Sequence, residues 1–335
     1  MNQPLRLPSH ISARAAVVAA VTAAVLLGVL GIVPVRSQTL LLEAPWATGP
    51  VPIDDSWASS WDEVPKLRVP LSAQNIAPPF GGGAIKSVTA RAQHDSERVY
   101  FLLEWADASP DASVVGNLDF TDAAALQFAI ATNATPYTMG GPDLPVNIWQ
   151  WKAVWQADIE NGFETSAERW PDGVVDYYQQ PDDSLYRPAE GLGNPNAQRD
   201  RTTPIEDLIA EGFGTLTTAE IQQVEGSGEW RDGHWRALFS RPLVPDDPQL
   251  AGFGAGATTP VAFAVWDGEA GDRNGQKSIA QFIDVHFVDE ATARDAPAAV
   301  PESTNPVWIL LGILAAILLV WVGLLSIGRR DESVE

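Results

Sequence analysis

Apart from the initiator, this chain contains a single methionine, Met139, set in the turn-like run Tyr137-Thr-Met-Gly-Gly-Pro142. A thioether is a soft ligand and, beside buried aromatic surface, can take an axial position on haem iron; it is equally a common filler of core gaps. A few residues on lies Pro145-Val-Asn-Ile-Trp-Gln-Trp-Lys-Ala153. As a strand, this segment puts Trp149 and Trp151 on one face and Gln150 and Lys152 on the other. Two tryptophans on one face either wall a planar cofactor or belong to the core. Lys277 is the next candidate. It closes the glycine-rich run Gly271-Asp-Arg-Asn-Gly-Gln-Lys-Ser278, which follows the apolar stretch Val261-Ala-Phe-Ala-Val-Trp266. Solvated, it would be an ordinary loop lysine. Buried, its amine would shed a proton and offer a lone pair to a metal. His94, His234 and His286 sit in turns or near a strand end, and no two have metal-site spacing, so they read as structural. No Ser-His-Asp arrangement or phosphate-cradling loop stands out, and carboxylates are too numerous for pairs of them to be informative.

Composition bounds the setting. The two ends are apolar: Ala15–Val35 is free of charge with Arg6 and Arg14 before it, and 22 uncharged residues from Pro306 to Ile327 run into Arg329 and Arg330. The second run is long enough to span a bilayer, and the first fits either a spanning helix or the core of a signal peptide. Basic residues flank each run on the side of its chain end. The expectation is therefore cytoplasmic termini and an external domain on the extracellular face of the cell membrane. The chain's net charge is −22, and the leader itself is basic, so the external domain is strongly acidic. That sign excludes nucleic acid as a partner. Four lysines against seventeen arginines on an acidic surface suit a halophile, although GC-rich coding makes the same trade. Cysteine is absent, which excludes disulfides, thiolate metal sites, Fe–S clusters and covalent haem attachment.

The elements that must position these side chains read as mainly β. Ile85–Ala92 alternates apolar with polar residues and, after a turn at His94–Glu97, pairs with Val99–Trp105 as a hairpin. Further strands are expected at Ala124–Ile130, Val146–Val154, Trp235–Arg241, Val261–Trp266 and Ser278–Phe287. Helix signals are few: Thr203-Pro-Ile-Glu206 has capping-box spacing with Pro at the first helical position. The polar stretch from Tyr177 to Gly228 reads as an insertion over one end of the fold. The sum is an immunoglobulin-like or carbohydrate-binding-module-like β-sandwich with few short helices, flanked by transmembrane helices. Residues 1–37 form a signal peptide or N-terminal membrane helix, 38–290 the sandwich ectodomain, 291–305 a linker, 306–328 a C-terminal transmembrane helix and 329–335 a cytoplasmic tail. Asn133-Ala-Thr135 is a glycosylation acceptor sequence.

Several of these runs, taken in order, resemble one family. Asp122-Ala-Ala-Ala-Leu-Gln-Phe128, Met139-Gly140, Pro145–Ala153, Phe263-Ala-Val-Trp-Asp-Gly268 and Asn274-Gly-Gln-Lys-Ser278 look like the haem-binding γ subunit of ethylbenzene dehydrogenase. The small subunits of dimethylsulfide dehydrogenase, selenate reductase and chlorate reductase belong to the same family. The resemblance spans roughly Ala44 to Phe287. It implies a sandwich related to carbohydrate-binding folds and one haem b held by axial Met and Lys, which fall on Met139 and Lys277. Lys152 is the reserve ligand, because the Trp149–Trp151 run is also close to the haem in this family. It further implies a non-catalytic electron-transfer subunit. Its partners would be a molybdopterin catalytic subunit with its Fe–S subunit, and a membrane cytochrome b or Rieske protein. A hydrophobic slot between the two sheets is the expected seat of the haem. The chain departs from the family in carrying a C-terminal anchor where those subunits are typically soluble. The competing expectation is a membrane-tethered carbohydrate-binding module without haem, recognisable by exposed tryptophans.

Overall fold

The structure, a computed structural model, describes residues 40–130, 138–174 and 187–290. The leader at 1–37, the linker at 291–305, the C-terminal helix at 306–328, the tail at 329–335 and Asn133 all lie outside them. Among the described residues no helix is long and apolar enough to cross a membrane.

The predicted hairpin is present as β4 (Ser87–His94) and β5 (Arg98–Ala106). Its turn is set by Asp95, whose Oδ1 accepts the N–H groups of Glu97 and Arg98 at 2.8 and 2.7 Å, a local bond that aspartate makes readily. β5 is the centre of a five-stranded sheet in the order β10 (Glu225–Arg231), β11 (His234–Pro242), β5, β4, β2 (Lys66–Pro70). The larger, nine-stranded sheet runs β1 (Leu41–Ala44), β14 (Ile283–Phe287), β12 (Thr258–Trp266), β6 (Ala123–Ala129), β7 (Val146–Lys152), β8 (Ile205–Ala210), β9 (Thr217–Thr218). Two short strands, β3 (Ser72–Ala73) and β13 (Ser278–Ile279), pair with each other, and β13 also pairs with β12.

Alternation along the central strands decides what each face does. Leu126 and Phe128 of β6, Trp149 and Trp151 of β7, and Val261 and Phe263 of β12 point inward. They pack on Phe101, Trp105 and Phe239 of the smaller sheet. Phe128 and Trp149 rings lie 4.7 Å apart, and those of Trp151 and Trp235 4.9 Å. The outward set, Ala123, Ala125, Ile148, Leu208, Ala210 and Trp266, forms a second buried cluster on the far side of the large sheet.

Three expectations are corrected. Thr203–Glu206 does not start a helix: β8 begins there because the edge of β7 needs a partner, with Ile148 opposite Leu208. The Thr203 hydroxyl donates to Val224 O instead of serving as a cap, and Glu206 meets Lys152. Tyr177–Gly228 is not merely an insertion, since it supplies β8, β9 and part of β10. Ser278–Phe287 is split into β13 and β14. The segment after β7 also turns at once into α1 (Ala153–Asn161), which the polar alternation of Val146–Val154 did not signal.

Candidate cofactor site

A cavity of about 1180 Å³ opens on the outer face of the large sheet, larger than the roughly 300–1,000 Å³ usual for small-molecule sites. Its floor is the outward set of four adjacent strands. Ala123 and Ala125 of β6 and Ala262 and Ala264 of β12 supply small side chains, flanked by Ile148 and Gln150 of β7 and Leu208 of β8. Alanine at four neighbouring outward positions leaves a broad level surface, which admits a flat apolar ligand. The walls come from the loop after β3, from Val114 and Phe120, from Trp155 of α1, and from Phe213 and Leu216 beyond β8.

Met139 and Lys277 both line this cavity and face each other, with Sδ 4.0 Å from Nζ. Met139 sits in the β6–β7 connection, packed against the outer cluster. Its loop is tied down from both sides: Gln127 Nε2 donates to Thr138 O at 2.6 Å, and Gly140 has φ +82°. A Cβ at Gly140 would come within 2.7 Å of Ala210 O and 2.8 Å of Leu144 O, so only glycine lets the loop lie this close to β8.

Lys277 is half-buried, and its amine stands 4.8 Å from the centre of the Trp266 ring. Among the described residues it has no carboxylate partner. Burial alone pushes its pKa down to about 8, which brings the neutral amine within reach near physiological pH. The loop that presents it is held by Gln74. The Gln74 backbone N–H reaches Lys277 O at 3.1 Å, and its side-chain amide donates to Gly275 O at 3.0 Å and Ala77 O at 2.7 Å. Gly82, with φ +83°, presses on the backbone of Lys277, where an added Cβ would lie 2.3 Å from its N and C atoms.

Lys152 lines the same cavity but is differently engaged. Its amine pairs with Glu206, lies 3.9 Å from the centre of the Trp155 ring, and reaches Asn196 Oδ1 at 3.3 Å. Burial lowers its pKa and Glu206 opposes that shift. The Glu206 carboxylate favours the charged ammonium, a form that has no lone pair to give.

Trp149 and Trp151 do not line this cavity. Both are fully buried in the inter-sheet core, on the opposite side of β7 from the cavity. The period-two alternation that puts the two tryptophans on one face also turns that face away from Met139 and Lys277. None of His94, His234 or His286 lines the cavity. His94 is buried with ring nitrogens 3.2 Å from Asp95 O and 3.0 Å from Val288 O. Residues not anticipated from sequence are the alanine floor, Trp266, Gln74 and Gly82. The run Gly81-Gly-Gly83 was the one visible signal among them, because consecutive glycines mark close backbone approach.

Fold and site together define a ligand-holding β-sandwich, with two donor side chains converging over a level apolar floor on the outside of one sheet. A family model described as Ethylbenzene dehydrogenase matches residues 58–278, and the chain belongs to that family. It is 30% identical over 232 residues to the "Putative respiratory nitrate reductase heme subunit ORF7" of Haloferax mediterranei, covering 69% of this chain and 66% of that protein, just short of two thirds of the relative. It is 28% identical to "Dimethylsulfide dehydrogenase subunit gamma" of Rhodovulum sulfidophilum, covering 73% and 76%. Among solved structures, a family 9 carbohydrate-binding module from Caldicellulosiruptor kristjanssonii in complex with cellotriose aligns over 78% of this chain and all of its own. Its TM-score of 0.38 and 9% identity say nothing about ligands.

Proposed function

We propose that this chain is the haem b-carrying, electron-transferring subunit of a respiratory molybdopterin oxidoreductase of the nitrate-reductase type, and is not itself catalytic. The observation that carries the reading is the pair Met139 and Lys277, 4.0 Å apart over the alanine floor. A thioether and a deprotonated amine each offer a lone pair to iron, and here they converge over small apolar side chains. The donor set and the floor thus fit a flat iron porphyrin.

When bound, haem b supplies a one-electron couple. Met139 and Lys277 would occupy both axial positions, leaving no open coordination site for substrate, which suits electron relay rather than catalysis. Thioether ligation and burial favour a raised potential. Lys277 must deliver a neutral amine, and its burial, with no counterion among the described residues, prepares it for that. The names of the relatives, a respiratory nitrate reductase haem subunit and a γ subunit of a dehydrogenase, support a place in such a complex. We assign the chain a catalytic molybdopterin subunit with its Fe–S subunit on one side of the relay and a membrane cytochrome b or Rieske protein on the other. The apolar run at 306–328 would anchor it, with the sandwich on the extracellular face.

A sugar-binding reading requires an exposed aromatic platform. Among the described residues Trp170, about half exposed, is the most exposed tryptophan, and it does not line the cavity. The test is a pyridine haemochrome assay of haem type and content together with the native visible spectrum of the full-length protein purified in detergent. Haem b at one per chain, extractable into acidified acetone, with a six-coordinate low-spin spectrum that Met139→Ala destroys, is the expected result. A chain expressed with ample haem that takes up none overturns the reading.

A further inference from the structure

A second cluster of chemistry-bearing groups lies at one end of the sandwich, outside the cavity residues already assigned. Asp107 follows β5 of the smaller sheet, Asp122 precedes β6 of the larger, and Asp267 follows β12 beside it. One carboxylate oxygen from each lies within 4.8 Å of the others. Asp107 and Asp122 are buried, at 6% and 0% exposure. Three carboxylates drawn together with two of them out of water call for a compensating positive charge. The described ion pairs bring none, since no arginine, lysine or histidine bridges to any of the three.

Hydrogen bonding accounts for part of the cluster and leaves a remainder. Asp122 accepts three N–H groups: Gly268 at 2.8 Å on Oδ1, and Asp111 at 2.7 Å and the Trp235 indole at 2.9 Å on Oδ2. A carboxylate has about four acceptor sites, so one remains on Asp122. Asp107 Oδ1 accepts Ser109 N–H at 3.2 Å, whereas Oδ2 is buried and meets no donor among the described residues. The Trp105 indole is near enough to favour the ionised carboxylate, yet its own N–H is also left without a hydrogen-bond partner. Burial first, and then the neighbouring carboxylates, push Asp107 up to about 6 and Asp122 up to about 7.

We propose that Asp107, Asp122 and Asp267 bind a hard divalent cation, Ca2+, which ties the ends of the two sheets together. Oxygen ligands around Ca2+ stand about 2.3–2.6 Å from the ion, so oxygens up to about 5 Å apart can share it. The site is independent of the haem. The two share the β12–β13 loop, which carries Asp267 at its start and Lys277 at its end, and β6, where Asp122 directly precedes the floor residue Ala123.

The test uses the full-length protein in detergent, stripped with EDTA and read with and without haem. Trp235 donates directly to Asp122, so Tb3+ seated here will show tryptophan-sensitised emission, and Ca2+ will displace it. Ca2+ should also raise the thermal midpoint of the stripped protein, more than Mg2+ does and more than KCl of equal ionic strength. Asp107→Asn and Asp267→Asn should each weaken Ca2+ by at least about tenfold and abolish the sensitised emission. Asp107→Asn also removes a buried charge of the same shape, so without metal at neutral pH its midpoint should match or exceed that of the parent. This separates loss of a ligand from loss of the fold. No sensitised emission, emission retained in Asp107→Asn, or stabilisation equalled by KCl would each overturn the site.

Discussion

At the scale of single residues, the site turns on what a lysine does when its proton becomes costly to keep. Lys277 has burial and an indole ring but, among the described residues, no anion, whereas Lys152 has Glu206. Lys277→Arg should therefore abolish the six-coordinate spectrum as fully as Lys277→Ala, because a guanidinium stays charged and offers no lone pair. A surface lysine would instead tolerate arginine. Lys152→Arg is the parallel control, and loss of the low-spin spectrum there alone would transfer the ligand role to Lys152. The proton adds a pH signature. With a pKa of about 8 in the haem-free chain, ligation below that pH must first release the proton. Haem affinity should rise about tenfold per pH unit up to about 8 and then level off. A flat profile from pH 6 to 8 would argue against an amine ligand. The candidates Met139 and Lys277 were legible in the sequence through rarity and through the family's motifs. The cavity that brings them together was not.

At the scale of elements, the reason is that sequence alternation shows which residues share a face and not what that face meets. Trp149 and Trp151 were correctly placed on one side of β7, but both sides of this strand are buried, one by the second sheet and one by the cavity's cover. Aromatic content draws attention to the core side, and the alanines that make the floor carry no signal of their own. The assignment can be checked by opposite substitutions on neighbouring strands. Trp149→Ala should cost about 3–5 kcal/mol of stability, measured by denaturant unfolding. Ala125→Leu, which projects into the cavity, should leave the unfolding midpoint nearly unchanged and block haem uptake. The loops follow a different logic, that of close approach. Gly82→Ala should strain the backbone by about 1–3 kcal/mol and displace Lys277, so the visible spectrum should change more than the thermal midpoint. The Thr203 capping pattern failed because pairing with β7 outweighs a local helix preference.

At the scale of the whole molecule, the hairpin, the sandwich and its strand-rich character follow from alternation and punctuation. The pairing of distant strands, such as β1 alongside β14, depends on contacts more than two hundred residues apart that no local pattern reports. The orientation expected from the basic flanks is open to direct test. Protease added to intact cells should degrade the domain at 38–290, and full protection while the membrane stays sealed would refute it. The position of the cavity has a consequence for inheritance. Its floor is the outer face of a sheet whose inner face carries the core, so the two are written in alternate letters of the same strands. Mutations at the odd-numbered floor positions of β6 can remodel or erase the cargo while the even-numbered positions keep the framework intact. Descendants of one such sandwich could thus exchange a redox group for another ligand, or for none, without passing through an unfolded ancestor.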